Sequence, residues 1–189
     1  MKKSIIFCLI AILFVNLSFS QKRKAHKEEF EDVIWHVKAF RPDLKFLKIK
    51  AIDKKGNIYD VKAIQNSKQT SLLDVKAFVR GKKLPIKMLV DKRKYYPVKA
   101  IDELGNLLDI KAITEDGKHL PVKGVSQSGN IVHIRAIYEN KIFYDVIAIS
   151  PDGKTNAVKG IKMNSAIAET TISGIEVYAH IKSIPQVAD

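Results

Sequence analysis

The chain has 189 residues, enough for one domain with a core of its own, and its 33 Lys and Arg against 20 Asp and Glu give a net charge of +13. A single cysteine, Cys8, excludes a disulfide framework and a cysteine-based metal site. The cationic balance points toward anionic partners without naming one.

The first segment is not part of the core. Lys2 and Lys3 precede an apolar run from Ile5 to Val15, and Ser18, Phe19, Ser20 and Gln21 follow it, the layout of a secretory signal peptide over residues 1–20 cleaved after Ser20. The run is too short to span a bilayer as a helix, and it lacks the polar face that a buried surface helix would show. Phe7 is too bulky to precede a lipidated cysteine, so Cys8 leaves with the leader. The mature chain from Gln21 keeps 31 of the cationic side chains and all 20 carboxylates, a net charge of +11. The expectation is a secreted or periplasmic protein, not transmembrane after processing. Its expected partners are anionic glycans or lipid head groups and not nucleic acid.

Residues 21–33 read as a charged N-terminal arm, residues 34–184 as a repeat domain, and residues 185–189 as a tail. Aligning the repeat on the lysine of Val-Lys-Ala-Ile places Lys38, Lys50, Lys62, Lys76, Lys87, Lys99, Lys111, Lys123, Arg135, Ile147 and Lys159 in register, at steps of twelve except for one of fourteen and one of eleven. A last copy stands at Lys182 after a gap of twenty-three. The residue before the lysine is Val or Ile, the one after it is nearly always small, with Met88 the outlier, and a larger apolar residue stands three before it. Asn156 and Ala179 depart from that last rule. At period two these three slots share one apolar strand face, and the opposite face carries the lysine and a polar or proline slot two residues earlier. Apolar rims such as Ile58 and Ile64 flank that charged face.

Between units, Lys54-Lys55-Gly56, Glu103-Leu104-Gly105, Glu115-Asp116-Gly117, Gln127-Ser128-Gly129 and Pro151-Asp152-Gly153 read as three-residue hairpin loops with glycine at the positive-φ position. Tight hairpins make sequence neighbours antiparallel and argue against a parallel solenoid, which would stack lysines in a ladder. Pairing Ser150 with Lys154 sets Ala148 opposite Asn156, Val146 opposite Val158 and Asp145 opposite Lys159. The same rule around Gly117 sets Ala112 opposite Leu120, Ile110 opposite Val122 and Asp109 opposite Lys123. A two-residue loop at Arg80-Gly81 and a five-residue loop from Asn66 to Thr70 then place Lys62 opposite Asp74. The pattern predicts a self-complementary belt running Lys99, Asp109, Lys123, His133, with bulges or bends at Pro85, Pro97 and Pro121. The fold class predicted is all-β: an antiparallel up-and-down meander of about 11–13 short strands, too long to stay flat, curled into a barrel or folded over as a sandwich. A terminal strand from Ile175 to Ile184 caps or closes it.

The Asp-Val-Lys-Ala-Ile units and Asp-Gly-Lys turns, behind a leader ending Ser-Phe-Ser-Gln, resemble uncharacterised secreted repeat proteins of Bacteroidota from Trp35 to Ile184. The resemblance implies an exported envelope protein and carries over no activity, cofactor or catalytic residue.

No nucleophile elbow, phosphate-binding glycine loop or zinc-protease helix occurs in the sequence, so no catalytic residue, metal ligand or cofactor is assigned. His133 and Asp145 fall on adjacent strands but diagonally, with Asp145 opposite Arg135, and a solvated role suits them better than a metal site. An outer-membrane barrel is disfavoured by strands of seven or eight residues and by the absence of a terminal aromatic. The candidate binding surface is the polar face: Lys50, Lys62, Lys76, Lys99, Lys111, Lys123 and Arg135, with Tyr95 and Phe143 at its rim. The competing role for these lysines is to guard the sheet against association with other sheets. The functional expectation is an exported, non-enzymatic structural or binding module of the cell envelope. The alternative is a hydrolase or enzyme inhibitor whose site lies in the nonrepetitive segment 163–174.

Overall fold

The computed structural model describes residues 30–163 and 170–185. The predicted leader, residues 21–29 of the arm, residues 164–169 of the nonrepetitive segment and the tail beyond Pro185 lie outside the described residues. The described chain is all-β, thirteen antiparallel strands in one sheet that closes on itself like a ring. Alternation produces the two faces: Val37 and Ala39 flank Lys38 and are buried, as Val61 and Ala63 are around Lys62.

Each repeat strand changes partner at its middle. In β1 (Val33–Phe40), β2 (Phe46–Ile52) and β3 (Ile58–Gln65), the second half of β1 pairs with the first half of β2, and the second half of β2 with the first half of β3. The second half of β3 returns to the first half of β1. The three strands part around Val37, Ile49 and Val61, all buried. This three-way junction recurs in β4 (Leu73–Val79), β5 (Lys82–Leu89) and β13 (Ile175–Pro185) around Val75, Ile86 and Ile181. It recurs again in β6 (Tyr96–Ile101), β7 (Leu107–Ile113) and β8 (His119–Ser128) around Val98, Ile110 and Val122. The fourth copy joins β9 (Ile131–Tyr138), β10 (Ile142–Ile149) and β11 (Thr155–Ile161) around Ile134, Val146 and Val158. The terminal strand therefore closes the second junction from far along the chain.

On its other edge each strand lies beside a strand of a different junction: β1 with β10, β2 with β7, β3 with β4, β5 with β6, β8 with β9 and β11 with β13. Each junction is thereby bonded to the other three, the connectivity of a tetrahedron. Packing on the inner face follows from these ladders. The β-branched residue before the lysine meets the slot after it, which is small except where Val98 faces Met88: Val37 with Ala148, Ile49 with Ala112, Val61 with Ala77, Ile86 with Ala100, Val122 with Ala136 and Val158 with Ser183. The larger apolar residues three before the lysine gather where hairpin arms of three junctions converge, as Tyr59, Leu84 and Leu108 do. At the corner holding Trp35, buried Asn156 replaces an apolar residue, and its Nδ2 donates to the Thr70 carbonyl at 2.9 Å.

Register departs from the sequence expectation where strands change partner. Ala148 faces Asn156, Ala112 faces Leu120 and Asp145 faces Arg135, as expected. Lys99 faces Asp109, as expected, but beyond the junction centres the hairpins do not continue: Asp109 does not pair with Lys123, Lys159 pairs with His133 and not with Asp145, and Lys123 faces Arg135 rather than His133. Lys62 faces Lys76, because β3 and β4 are joined by residues 66–72 instead of a five-residue loop. Ser128 pairs with Ile131, so the Gly129 turn has two residues and not three. The register shifts fall at Gly124/Ser126 and Val177/Ala179. Pro85, Pro97 and Pro121 instead stand where a strand leaves one partner for the next.

Candidate functional site

The outer face of each junction is a ring of six positions, the three lysine slots alternating with the three slots two residues earlier. One ring holds His36, Lys38, Lys48, Lys50, Asp60 and Lys62, and another Pro97, Lys99, Asp109, Lys111, Pro121 and Lys123. Each of the four rings contains one aspartate. Asp60 accepts from Lys50 across the hairpin and lies 3.5 Å from Lys62 two residues on. Asp109 does the same with Lys99 and Lys111, and Asp74 with Lys182 and Lys76, at 3.5 and 3.8 Å for the second lysine of each set. Asp145 pairs with Arg135. The lysine hydrogen bond, set against partial burial and joined by the coulombic pull of both lysines, holds the Asp60 carboxyl below its ordinary range. At Asp74 and Asp109 burial is the largest influence and opposes ionisation, but the surrounding lysines outweigh it and the net shift is again downward.

The ladders between junctions bring cation against cation. Lys50 faces Lys111, Lys62 faces Lys76, Lys87 faces Lys99, Lys123 faces Arg135 and Lys159 faces Lys182. The sixth ladder sets Lys38 against Ile147, but Lys38 meets Lys48 across its hairpin. Four aspartates cannot neutralise so many cations. Among the described residues Lys38, Lys48 and Lys123 have no carboxylate within ion-pair distance. Burial, followed by the neighbouring cations, lowers the pKa of Lys38 and of Lys123 below the ordinary lysine value. Lys159 is lowered in the same way, by burial and then by Arg135.

Three ring positions two before the lysine are histidines. Lys62 Nζ lies 3.2 Å from His36 Nδ1 and Lys159 Nζ 3.1 Å from His133 Nδ1, and Lys87 meets His180 in the same way. A lysine donating to Nδ1 requires the neutral imidazole with its proton on Nε2. Partial burial and the adjacent cations lower the pKa of both His36 and His133, consistent with that form.

All seven basic residues singled out from the sequence thus lie in the outer rings, spread over the four junctions. Tyr95 and Phe143 meet edge to face with centroids 6.0 Å apart, and Lys94 lies 5.2 Å over the Tyr95 ring. Sequence reasoning missed Lys48, which occupies an aspartate slot, and the neighbouring pair Phe40 and Phe46, whose rings lie 5.6 Å apart on the same outer face as Lys38 and Lys48. The signal for that pair was the +2 and −4 spacing around Lys38 and Lys50.

A separate open bowl of about 480 Å³ forms where the turns 53–57, 80–81 and 102–106 converge, with Leu84 and Leu108 on its floor and Lys54, Lys55 and Arg80 at its rim. Asp53 is consumed by its own turn, accepting from Lys55 N, Asn57 N, Asn57 Nδ2 and the Tyr59 hydroxyl, and Asp102 holds the equivalent turn. In the nonrepetitive segment, described residues Thr171–Ile172 form β12, paired with β13. The Ser173 hydroxyl donates to the carbonyls of Asp102 and Glu103, a structural use of the side chain. Among the described residues no group of three His, Cys, Asp or Glu is placed to hold a metal ion.

No curated protein and no solved structure matches this chain. A family model does match, over residues 31–184, which spans all four junctions and their rings: the chain belongs to a family of unknown function, DUF7486.

Proposed function

We propose that this protein is an exported, non-enzymatic binding module whose outer lysine rings take an anionic ligand. The observation that carries the reading is the facing of cation against cation on the ladders between junctions. Like charges directly opposite on adjacent strands destabilise a sheet, whereas lysine opposite carboxylate would contribute about 0.2–1 kcal/mol per pair. The fold carries that repulsion at half-buried positions, and an anion laid over the rings relieves it. Lys123 is the sharpest case, set opposite Arg135 with no carboxylate of its own.

Lys123→Glu tests this directly, because it turns the Lys123–Arg135 pair into an attractive one. The expected outcome is a higher thermal midpoint together with weaker, salt-sensitive binding of a sulfated polysaccharide, measured by calorimetry at low and high ionic strength. A variant that gains stability while binding the polyanion as well as the parent does would refute the reading.

A further inference from the structure

We infer that the hairpin formed by β1 and β2 docks this protein on an anionic lipid surface, with Leu44 at its tip entering the head-group region. This rests on the anionic-ligand reading above and names the ligand at one ring. Five hairpin turns here share one backbone form, a three-residue loop closed by paired backbone hydrogen bonds, at 41–45, 53–57, 102–106, 114–118 and 150–154. In four of them the third loop residue is glycine at positive φ, namely Gly56, Gly105, Gly117 and Gly153. In the fifth it is Leu44, at φ 63°.

A leucine in the left-handed region is strained by its Cβ, which crowds the neighbouring backbone. Side-chain packing returns little of that strain, because Leu44 is 76% exposed. Conformational strain and an exposed aliphatic side chain therefore coincide at one tip. Leu104 is still more exposed, but it holds the middle position of its loop and is not among the residues at positive φ.

The surface behind Leu44 continues in the same sense. Phe46 is half exposed and packs against Phe40, and the next cross-strand pair inward is Lys38 with Lys48, neither neutralised by a carboxylate. The acids near the tip are already engaged, Asp43 by Arg41 at 2.8 Å and Glu115 by Lys45 at 3.1 Å. A comparable outer apolar pair, Ile101 with Leu107, lies in a cluster with Leu89 and Val177 that Ile172 of β12 packs against. Among the described residues nothing comparable covers the β1–β2 pair. An aliphatic tip, an aromatic pair and then a pair of free cations is the order of chemistry that a phospholipid surface presents in reverse, acyl chains below and phosphates above.

Leu44→Gly is the decisive variant, since glycine is the residue the other four turns use and the fold is expected to gain stability from it. In the chain from Gln21 onward, which holds every described residue, co-sedimentation with phosphatidylglycerol vesicles should weaken by about tenfold, the scale expected for withdrawing one leucine side chain from an interface. Phosphatidylcholine vesicles should bind weakly with or without the change. Binding of a soluble sulfated polysaccharide should be unaffected by Leu44→Gly and reduced by Lys38→Gln with Lys48→Gln. Vesicle affinity that survives Leu44→Gly overturns the lipid docking while leaving the anionic-ligand reading intact. Equal loss of vesicle and polysaccharide binding shows a hairpin that reads a soluble polyanion, and also overturns it. Absence of salt-sensitive binding to either probe removes the underlying reading.

Discussion

Met88 stands in a slot that holds alanine, glycine or serine in every other strand, and two distant glycines make room for it. A Cβ added at Gly124 would lie 2.5 Å from Met88 Cε, and one at Gly160 would lie 2.8 Å from it. Met88→Ala is expected to cost about 2–5 kcal/mol through the cavity it opens, and Gly124→Ala about 1–3 kcal/mol through overpacking. The double variant should lose less than the sum, because the methyl added at position 124 fills part of the space Met88 vacates. Additive losses in chemical denaturation would show that the two sites are not complementary. The typing of this slot is plain in the sequence, yet the reason for its exceptions is not, since Met88, Gly124 and Gly160 meet only in three dimensions. The same holds for the site. The repeat marks every ring lysine, but the carboxylate-free state of Lys38, Lys48 and Lys123 depends on which strands lie beside them.

At the scale of the strand, the ring histidines show how a hairpin and a junction combine. His36 belongs to β1 and receives Lys62 from β3, a meeting that arises because β3 closes the junction back onto β1. His133 and Lys159 meet in the same way between β9 and β11. Both imidazoles have folded pKa values lowered, by burial first and then by the facing lysine. Below 6.5 the unfolded chain therefore binds protons that the folded chain resists, so stability is fully present above that value and is lost as pH falls through the lowered folded values. Replacing both histidines by glutamine should reduce the fall of the thermal midpoint as pH drops below 6.5, while the further loss persists that begins as pH falls below 3.8 and is complete once Asp60, Asp74 and Asp109 protonate at their lowered folded values. An unchanged slope just below pH 6.5 would assign that loss to other groups. The hairpin of β12 and β13 is a second element whose role emerges from its surroundings, since it packs on the outer apolar residues Leu89, Ile101 and Leu107. That contact gives described residues of the nonrepetitive segment a structural role.

For the whole molecule, four three-way junctions joined by six ladders leave an inner face that is one apolar core and an outer face on which cations outnumber the four ring aspartates. Screening should therefore stabilise the fold. Raising sodium chloride from about 0.01 to 0.5 M shortens the screening length from about 30 Å to below about 8 Å, and the thermal midpoint should rise. A self-complementary sheet would lose its lysine–aspartate attraction and show a flat or falling midpoint in the same titration. The strand period, the apolar face, the hairpins at the glycine turns and the antiparallel sense of neighbours can all be read from the residues, because each is fixed by local sterics and a period of two. Where each strand exchanges one partner for another, and hence that Lys62 faces Lys76 rather than Asp74, emerges only from the assembled sheet. A strand has two hydrogen-bonding edges, and a hairpin turn dictates pairing on one of them only as far as the junction centre. Beyond it the partner is chosen by closing a single core around Val37, Ile86, Val122, Val158 and their counterparts, a cooperative choice made by residues far apart in the chain.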